Sequence, residues 1–228
     1  MILKAEKITR KYTRLRKNSN FFYAVKETNF ELKPGELVEI CGRSGSGKST
    51  FLNMMCGILK PSSGKIFACE KDLYAMNDAE LSVFRNKNFG VIVQGQSSLS
   101  SLSVLENVKL PALIYKNDSE ELNERALFLL EKVGIADLKN ENPDSLSGGE
   151  MRRMAIARAL INNPDFIFAD EPTSDLDDEN TQNILALLQN LAGEGKAVLL
   201  VTHETDAEKY ADKVYKMDGG NLFEIKKC

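Results

Sequence analysis

The sequence predicts an α/β protein: a mostly parallel sheet covered by helices, antiparallel strands at the N-terminus and an inserted helical lobe. Three observations carry this expectation. Apolar runs of strand length alternate with helical periods at both ends of the chain, the order that builds parallel β-α-β units. Residues 95–162 read almost entirely as helix. A glycine-rich stretch, GRSGSGKST (42–50), stands where a strand gives way to a helix.

Bulk properties set the frame. The chain has 228 residues, enough for one large domain or two small lobes. We expect one domain, with 1–94 and 163–228 forming a catalytic core and 95–162 the helical lobe. Hydrophobic residues make up 43% and charged residues 28%, an ordinary globular balance. The net charge of −3 argues against nucleic acid as the main partner. Cys41, Cys56, Cys69 and Cys228 match no zinc or disulfide spacing and read as scattered thiols. Cys41, just ahead of the glycine-rich loop, reads as a small strand-end hydrophobe rather than a reactive thiol. No run of eighteen apolar residues suggests a membrane span, and the start, MILKAEKITRKY, lacks a signal-peptide core. The expectation is a cytoplasmic chain.

The elements follow in order. ILKAEKIT, VKETNFEL and ELVEIC read as strands, the last two joined by the turn Lys33-Pro34-Gly35-Glu36. The basic run Lys7, Arg10, Lys11, Arg14, Arg16 and Lys17 reads as a solvated loop, with a lipid or nucleic-acid patch as the alternative. FLNMMCGIL is a helix closed by Gly57 and Pro61-Ser62-Ser63-Gly64. KIFAC is a strand, AELSVFR a short helix and FGVIVQ a buried strand. VLENVKLPALIY should bend or break at Pro111. SEELNERALFLLEKVG places its apolar residues on one helical face and ends at Gly134. MRRMAIARALIN reads as another amphipathic helix. DFIFAD and KAVLLVT are buried strands on either side of the helix NTQNILALLQNLAG, and a hairpin turns on Asp218-Gly219-Gly220-Asn221.

Residues 42–49 fit G-x-x-x-x-G-K-[ST], with the strand before and the helix after that the pattern requires. Gly42, Gly45 and Gly47 let the backbone wrap a phosphate with N–H groups pointing inward, beside Arg43, Ser44, Ser46 and Thr50. The helix start adds its positive dipole end. Lys48 neutralises the β- and γ-phosphates, and the Ser49 hydroxyl ligates Mg²⁺. The core is therefore expected to be a P-loop NTPase. Such a site needs a carboxylate at a neighbouring strand end, and FIFAD supplies Asp170 for the metal. Glu171 follows, placed to activate a water that attacks the γ-phosphate. The single histidine, His203, ends another buried strand and is expected at the same sheet edge.

One motif has no explanation within that site. LSGGE (146–150) puts two more glycines at the start of a helix, a second place suited to an anion. Taken in order, GRSGSGKST, LSGGE, FIFADEP, SDLD and the histidine of VTHE resemble the nucleotide-binding subunit of ABC transporters over nearly the whole chain. That resemblance implies an ATPase that binds ATP and Mg²⁺ and dimerises head to tail. Each signature loop, here Ser147, Gly148, Gly149 and Glu150, would cover the γ-phosphate held by the other subunit. It further implies that Tyr12 stacks on adenine, with Phe22 and Tyr23 as alternatives. Gln94 would sense Mg²⁺ and link to the helical lobe, Gln96 being open to confusion with it, and Ser49, Gln94 and Asp170 would form the metal set. Ser174 to Asp177 would join the two sites across the dimer, Glu171 would be the base, and His203 would hold the γ-phosphate and Glu171 in line.

Within the family, LENVKLPALIY resembles the ATPases of macrolide export, lipoprotein release, antimicrobial-peptide resistance and the cell-division complex. The implied partners are a second, identical ATPase subunit and a multi-span membrane permease, with no nucleic acid. The implied location is peripheral, on the inner face of the cell membrane. The implied task is export or extraction; the alternative is the same motor in a regulatory complex without transport. Glutamate and methionine stand after the signature glycines where glutamines are usual, though Arg153 falls where an arginine is expected. GQSSLSSLS (95–103) is serine-rich where aromatics are usual, and it lies where the family meets its permease. A kinase or GTPase on the same loop is disfavoured by LSGGE and by the lack of an Asn-Lys-x-Asp guanine reader. DNA-repair and ribosomal members need long coiled coils or two cassettes in one chain, and this sequence has neither.

Overall fold

The computed structural model describes residues 1–13, 21–95, 98–115, 118–204 and 206–225. Arg14, Arg16 and Lys17 of the basic run, Gln96 and Cys228 lie outside the described residues. In chain order the elements are β1 (Leu3–Thr13), β2 (Phe21–Leu32), β3 (Leu37–Cys41), α1 (Lys48–Met55), β4 (Ser63–Ala68) and β5 (Lys71–Asp72). Then come α2 (Asp78–Asn88), β6 (Phe89–Ile92), α3 (Val104–Leu113), α4 (Glu120–Lys132) and α5 (Gly148–Leu160). The chain continues with β7 (Phe166–Asp170), α6 (Asp178–Gly193), β8 (Ala197–Thr202), β9 (Lys213–Asp218) and β10 (Asn221–Ile225).

Two sheets form. One is antiparallel, in the order β2-β1-β4-β5; the other runs β10-β9-β3-β8-β7-β6. In the second sheet β9, β3, β8, β7 and β6 pair in parallel, and β10 closes the edge as an antiparallel hairpin with β9. The central strands are buried on both faces, which is why they read as continuous apolar runs. Their alternation feeds two cores. Phe166, Phe168, Leu199, Val201, Val38 and Ile40 pack against α1 and the antiparallel sheet. Ile167, Ala169, Val198 and Leu200 pack on the other face, in one cluster with α3, α4, α5 and α6. The apolar cluster of the helices from 104 to 160 is thus continuous with that of the parallel sheet.

The structure departs from the sequence expectations in instructive places. α3 runs through Pro111 to Leu113 instead of breaking there. Pro111 sits in the last turn, so only one helical hydrogen bond is forfeited, and its carbonyl accepts from Asn86 Nδ2 at 2.7 Å. α5 is buried round most of its circumference rather than on one stripe: Met151, Arg152, Met154, Ala155, Ile156, Ala157 and Leu160 are all buried. It packs among α3, α4 and β6, so its small residues serve close helix contacts on several sides. β6 ends at Ile92, two residues before the expected end, and leaves Gln94 in a bend.

Close packing makes one prediction about stability. A Cβ on Gly90 of β6 would lie 2.6 Å from the Ala159 carbonyl oxygen and 3.0 Å from Pro164 Cγ. Gly90→Ala is therefore expected to cost about 1–3 kcal/mol, the usual range for overpacking. Urea unfolding should show it as a lowered midpoint with an unchanged slope.

Candidate functional site

The carboxyl ends of β3, β6, β7 and β8 open on one side of the parallel sheet, where an open α/β sheet binds its ligands. A cleft of about 920 Å³ lies there. It is lined by every residue from Gly42 to Thr50 and by Tyr12, Phe22, Gln94, Glu171 and His203.

The loop after β3 is set by backbone approach. Gly47, the N-cap of α1, has φ 116°, and a Cβ there would lie 2.1 Å from the Ala24 carbonyl oxygen. Gly42 has φ 153°, and its Cβ would fall 2.4 Å from the Met217 carbonyl oxygen. Only glycine meets both demands. Glycine also braces the loop from outside: the Gly220 amide, in the β9–β10 turn, donates to the Ser46 carbonyl at 3.1 Å, and the Lys26 amide donates to the Gly220 carbonyl at 2.8 Å. Ser46 Oγ is buried with no hydrogen-bond partner among the described residues. A hydroxyl donor left open in a glycine-lined cradle fits an anionic ligand.

Lys48 is 6% exposed. Its Nζ donates to the Gly42 carbonyl at 2.7 Å and lies 3.5 Å from Glu171 Oε1. The other carboxylate oxygen, Oε2, meets the His203 amide at 3.2 Å and His203 Nδ1 at 2.8 Å. The histidine and the loop lysine are thus joined through one buried carboxylate, that of Glu171. Glu171 also takes a left-handed backbone, φ 47°. That conformation costs a non-glycine residue roughly 1–3 kcal/mol and concentrates at working sites. Its amide, bonded to the Val201 carbonyl at 2.9 Å, holds it there. One residue earlier, Asp170 Oδ1 accepts from Ser49 Oγ at 3.1 Å. Burial pushes the Asp170 carboxyl above its usual range and Glu171 adds to this, while the Ser49 hydrogen bond and Lys48 oppose it.

The aromatic alternatives separate. Tyr12 and Phe22 are cross-strand partners, stacked with centroids 5.7 Å apart, and both line the cleft. The Arg10 guanidinium covers the Tyr12 ring at 4.7 Å. Tyr23 points the other way along β2 and packs edge-on against Phe21. Cys41 is half-buried; burial, then Glu39, raise its thiol above the ordinary range, so it stays a neutral thiol at neutral pH.

The LSGGE segment does not line this cleft. Ser147 caps α5, with Glu150 returning the bond: Ser147 N and Oγ each lie 2.7 Å from Glu150 Oε2. Those bonds hold the Glu150 carboxyl below its usual range. Ser147 and Gly148 are exposed, while a Cβ on Gly149 would strike the Asn180 side chain at 2.5 Å. Asn180 in turn accepts from Arg153 and bonds Asp177, the N-cap of α6. The second glycine and Asp177 therefore serve the packing of two helix starts against each other. Ser174 accepts from Arg152 and donates to the Glu171 carbonyl.

Some site residues were not visible to sequence reasoning. Ala24, Glu204, Glu208 and Lys216 also line the cleft, brought there from β2, the segment after β8 and β9. Glu204 accepts from Thr173 Oγ1 at 2.7 Å, tying the segment after β8 to the loop after β7. Gly219-Gly220 was legible as a turn; nothing local signalled that the turn props the loop at 46.

Comparison with known proteins agrees with this geometry. The family profile described as ABC transporter matches residues 25–174. The chain is 42% identical over 198 residues to the lipoprotein-releasing system ATP-binding protein LolD of Treponema denticola, covering 86% of this chain and 88% of that one. It is 38% identical over 222 residues to the macrolide export ATP-binding/permease protein MacB of Bartonella quintana, covering 97% of this chain and 33% of that longer one. The dimeric structure of the bacterial ABC transporter cassette MJ0796 superposes with a TM-score of 0.90 at 35% identity over 99% of both chains. The same cassette in a post-hydrolysis dimer with ADP and Pi gives 0.89.

A pH test follows from Asp170. Because its pKa is raised on folding, the ionised carboxylate costs stability above the raised pKa and nothing below the unfolded value of 3.8. Asp170→Asn should therefore melt higher than the parent without nucleotide at pH 7. The gain should shrink as pH falls towards the ordinary carboxylate range, which differential scanning fluorimetry across pH would read.

Proposed function

The chain belongs to the ABC transporter family as an ATP-binding, ATP-hydrolysing cassette, and from that premise we propose how its residues divide the work. The observation that carries the reading is the single buried carboxylate of Glu171, set between Lys48 and His203 at the mouth of the glycine-rich loop. Backbone N–H groups of Gly42–Thr50, with Lys48, hold the β- and γ-phosphates of ATP. The adenine stacks on the Tyr12–Phe22 pair, which presents π-surface to the same cleft. Both hydrogen bonds from His203 fall on Oε2, so Oε1, which faces Lys48 Nζ at 3.5 Å, is the oxygen that accepts the proton of an attacking water. His203 is the orienting partner, and its exposed ring can reach the γ-phosphate.

The donor set suits Mg²⁺. Ser49 Oγ and Asp170 Oδ1 bring a hydroxyl and a carboxylate together, the hard oxygen donors that this cation takes, and Gln94 adds an amide on the same cleft. When bound, Mg²⁺ neutralises charge on the β- and γ-phosphates.

A second copy of the chain completes the site. Ser147, Gly148 and Gly149 start a thirteen-residue helix, stand outside the cleft and leave Ser147 and Gly148 exposed. In a head-to-tail pair they cap the γ-phosphate of the other subunit, and ATP favours the closed dimer because only that state uses both loops. The transmembrane work belongs to a separate permease, for export or extraction. Among the described residues no helix is long and apolar enough to cross a membrane. A groove lined by Ile58, Ile114 and Tyr115, which are 57%, 63% and 49% exposed, is the proposed permease contact.

Glu171→Gln should keep ATP affinity and lower turnover by about 100-fold or more, the usual worth of a general base. With Mg²⁺ and ATP it should elute as a dimer on gel filtration; turnover at the parent rate would remove Glu171 from its role. Adding Ser147→Arg to that variant should return it to monomer while ATP stays bound. Affinity purification of Glu171→Gln from detergent-solubilised membranes tests the partner. A multi-span protein should co-purify and be lost on Ile114→Glu; recovery of soluble proteins alone would withdraw the permease and keep the dimeric ATPase.

A further inference from the structure

Arg152 is a buried cation that the ATPase chemistry above does not use. It is 7% exposed, one turn into α5 from the signature loop. Its guanidinium is spread over two loops from different strands. Nη1 donates to the carbonyls of Val93 at 3.2 Å and Gly95 at 3.0 Å, the residues on either side of Gln94. Nη2 donates to Ser174 Oγ at 3.1 Å, and that hydroxyl donates to the Glu171 carbonyl at 3.1 Å. Burial disfavours the charged guanidinium, and the negative charge of Asp175 opposes this only in part.

A buried arginine needs its donors satisfied, and here the acceptors lie in the two segments that carry Gln94 and Glu171 to the cleft. The fork geometry lets one side chain fix two loops at once, which a point charge cannot do. Neighbouring Arg153 is directed elsewhere, to Asn180 at the start of α6. The division is sharp: Arg153 secures helix to helix, whereas Arg152 secures the signature helix to the loops of Gln94 and Glu171.

We infer that Arg152 is a positioning residue for ATP hydrolysis: through Val93, Gly95 and Ser174 it makes the signature helix, the Gln94 bend and the Glu171 backbone respond as one unit. The inference rests on the assignment of Glu171 and Gln94 to the reaction. Contact of the α5 N-terminus with the second subunit's nucleotide would then be felt at the Glu171 backbone through two hydrogen bonds. Nothing in this role requires Arg152 to touch ATP.

The test uses the full chain with Arg152→Met, which keeps an unbranched apolar stem and removes the fork, and with Arg152→Lys. For Arg152→Met, kcat should fall about 10-fold or more, the worth of a buried hydrogen bond to a charged group, while KM stays within about twofold. Hydrogen exchange should rise together in peptides covering 93–95 and 174–176, with residues 154–160 of α5 as protected as in the parent. Arg152→Lys should melt like the parent yet recover only part of kcat. Parent kcat in Arg152→Met, or unchanged exchange in both loops, would overturn the inference. Exchange rising along the whole of α5 would overturn it too, by showing a helix-packing role. A parent chain that binds ATP without any turnover would instead count against the ATPase assignment, and the exchange result would still decide Arg152.

Discussion

The architecture depends on a close approach of backbone to backbone. The loop between β3 and α1 passes so near the carbonyls of Ala24 and Met217 that no side chain fits at Gly47 or Gly42. Three distant parts of the chain meet there: β2, the glycine-rich loop and the β9–β10 turn, the last bonded to Ser46. The Gly220 amide adds an outside brace to the loop's own bonds, from the Ser46 amide to the Arg43 carbonyl and from Lys48 Nζ to the Gly42 carbonyl. That rigidity leaves its N–H groups preorganised for an anion, with little ordering left for the ligand to drive.

Against this rigid cradle stands a set of costly features. Lys48 and Glu171 are both nearly fully buried, Glu171 is in a strained backbone region, and burial disfavours the charged form of Asp170. Each would be unfavourable in an ordinary core. They persist because β7 and β8, buried on both faces, supply the stability that the sheet edge gives up. Glu171 is over-determined: its amide is tied to Val201, its carbonyl to Ser174, and its carboxylate to His203 and Lys48. A small shift in any of these neighbours therefore reaches the Glu171 carboxylate.

The signature segment shows how one stretch serves packing and function together. Ser147 and Glu150 satisfy each other at the helix start, so Glu150 is occupied within its own helix. Gly149 is required by the Asn180 side chain, and Gly148 is the glycine left facing solvent. Two adjacent glycines thus have different physical reasons. One allows close approach between helices and the other leaves the helix end open.

The sequence alone determined the chemistry that is local in the chain. A glycine loop between strand and helix, a carboxylate pair at a strand end, a histidine at another strand end and two glycines at the start of a helix all follow from residues within a few positions of each other. Apolar alternation likewise determined most elements and the parallel core. Tertiary structure decided whatever depends on residues far apart in sequence. It chose Tyr12 with Phe22 over Tyr23, because strand register sets which face a side chain takes. It carried α3 past Pro111 and buried most of the circumference of α5, because neighbours override a local pattern. It brought Gly220 beneath the loop and Arg152 between two others. Those contacts leave no periodic or spacing signal, since each is a single hydrogen-bonding group whose partners are set only when the strands have taken their order in the sheet.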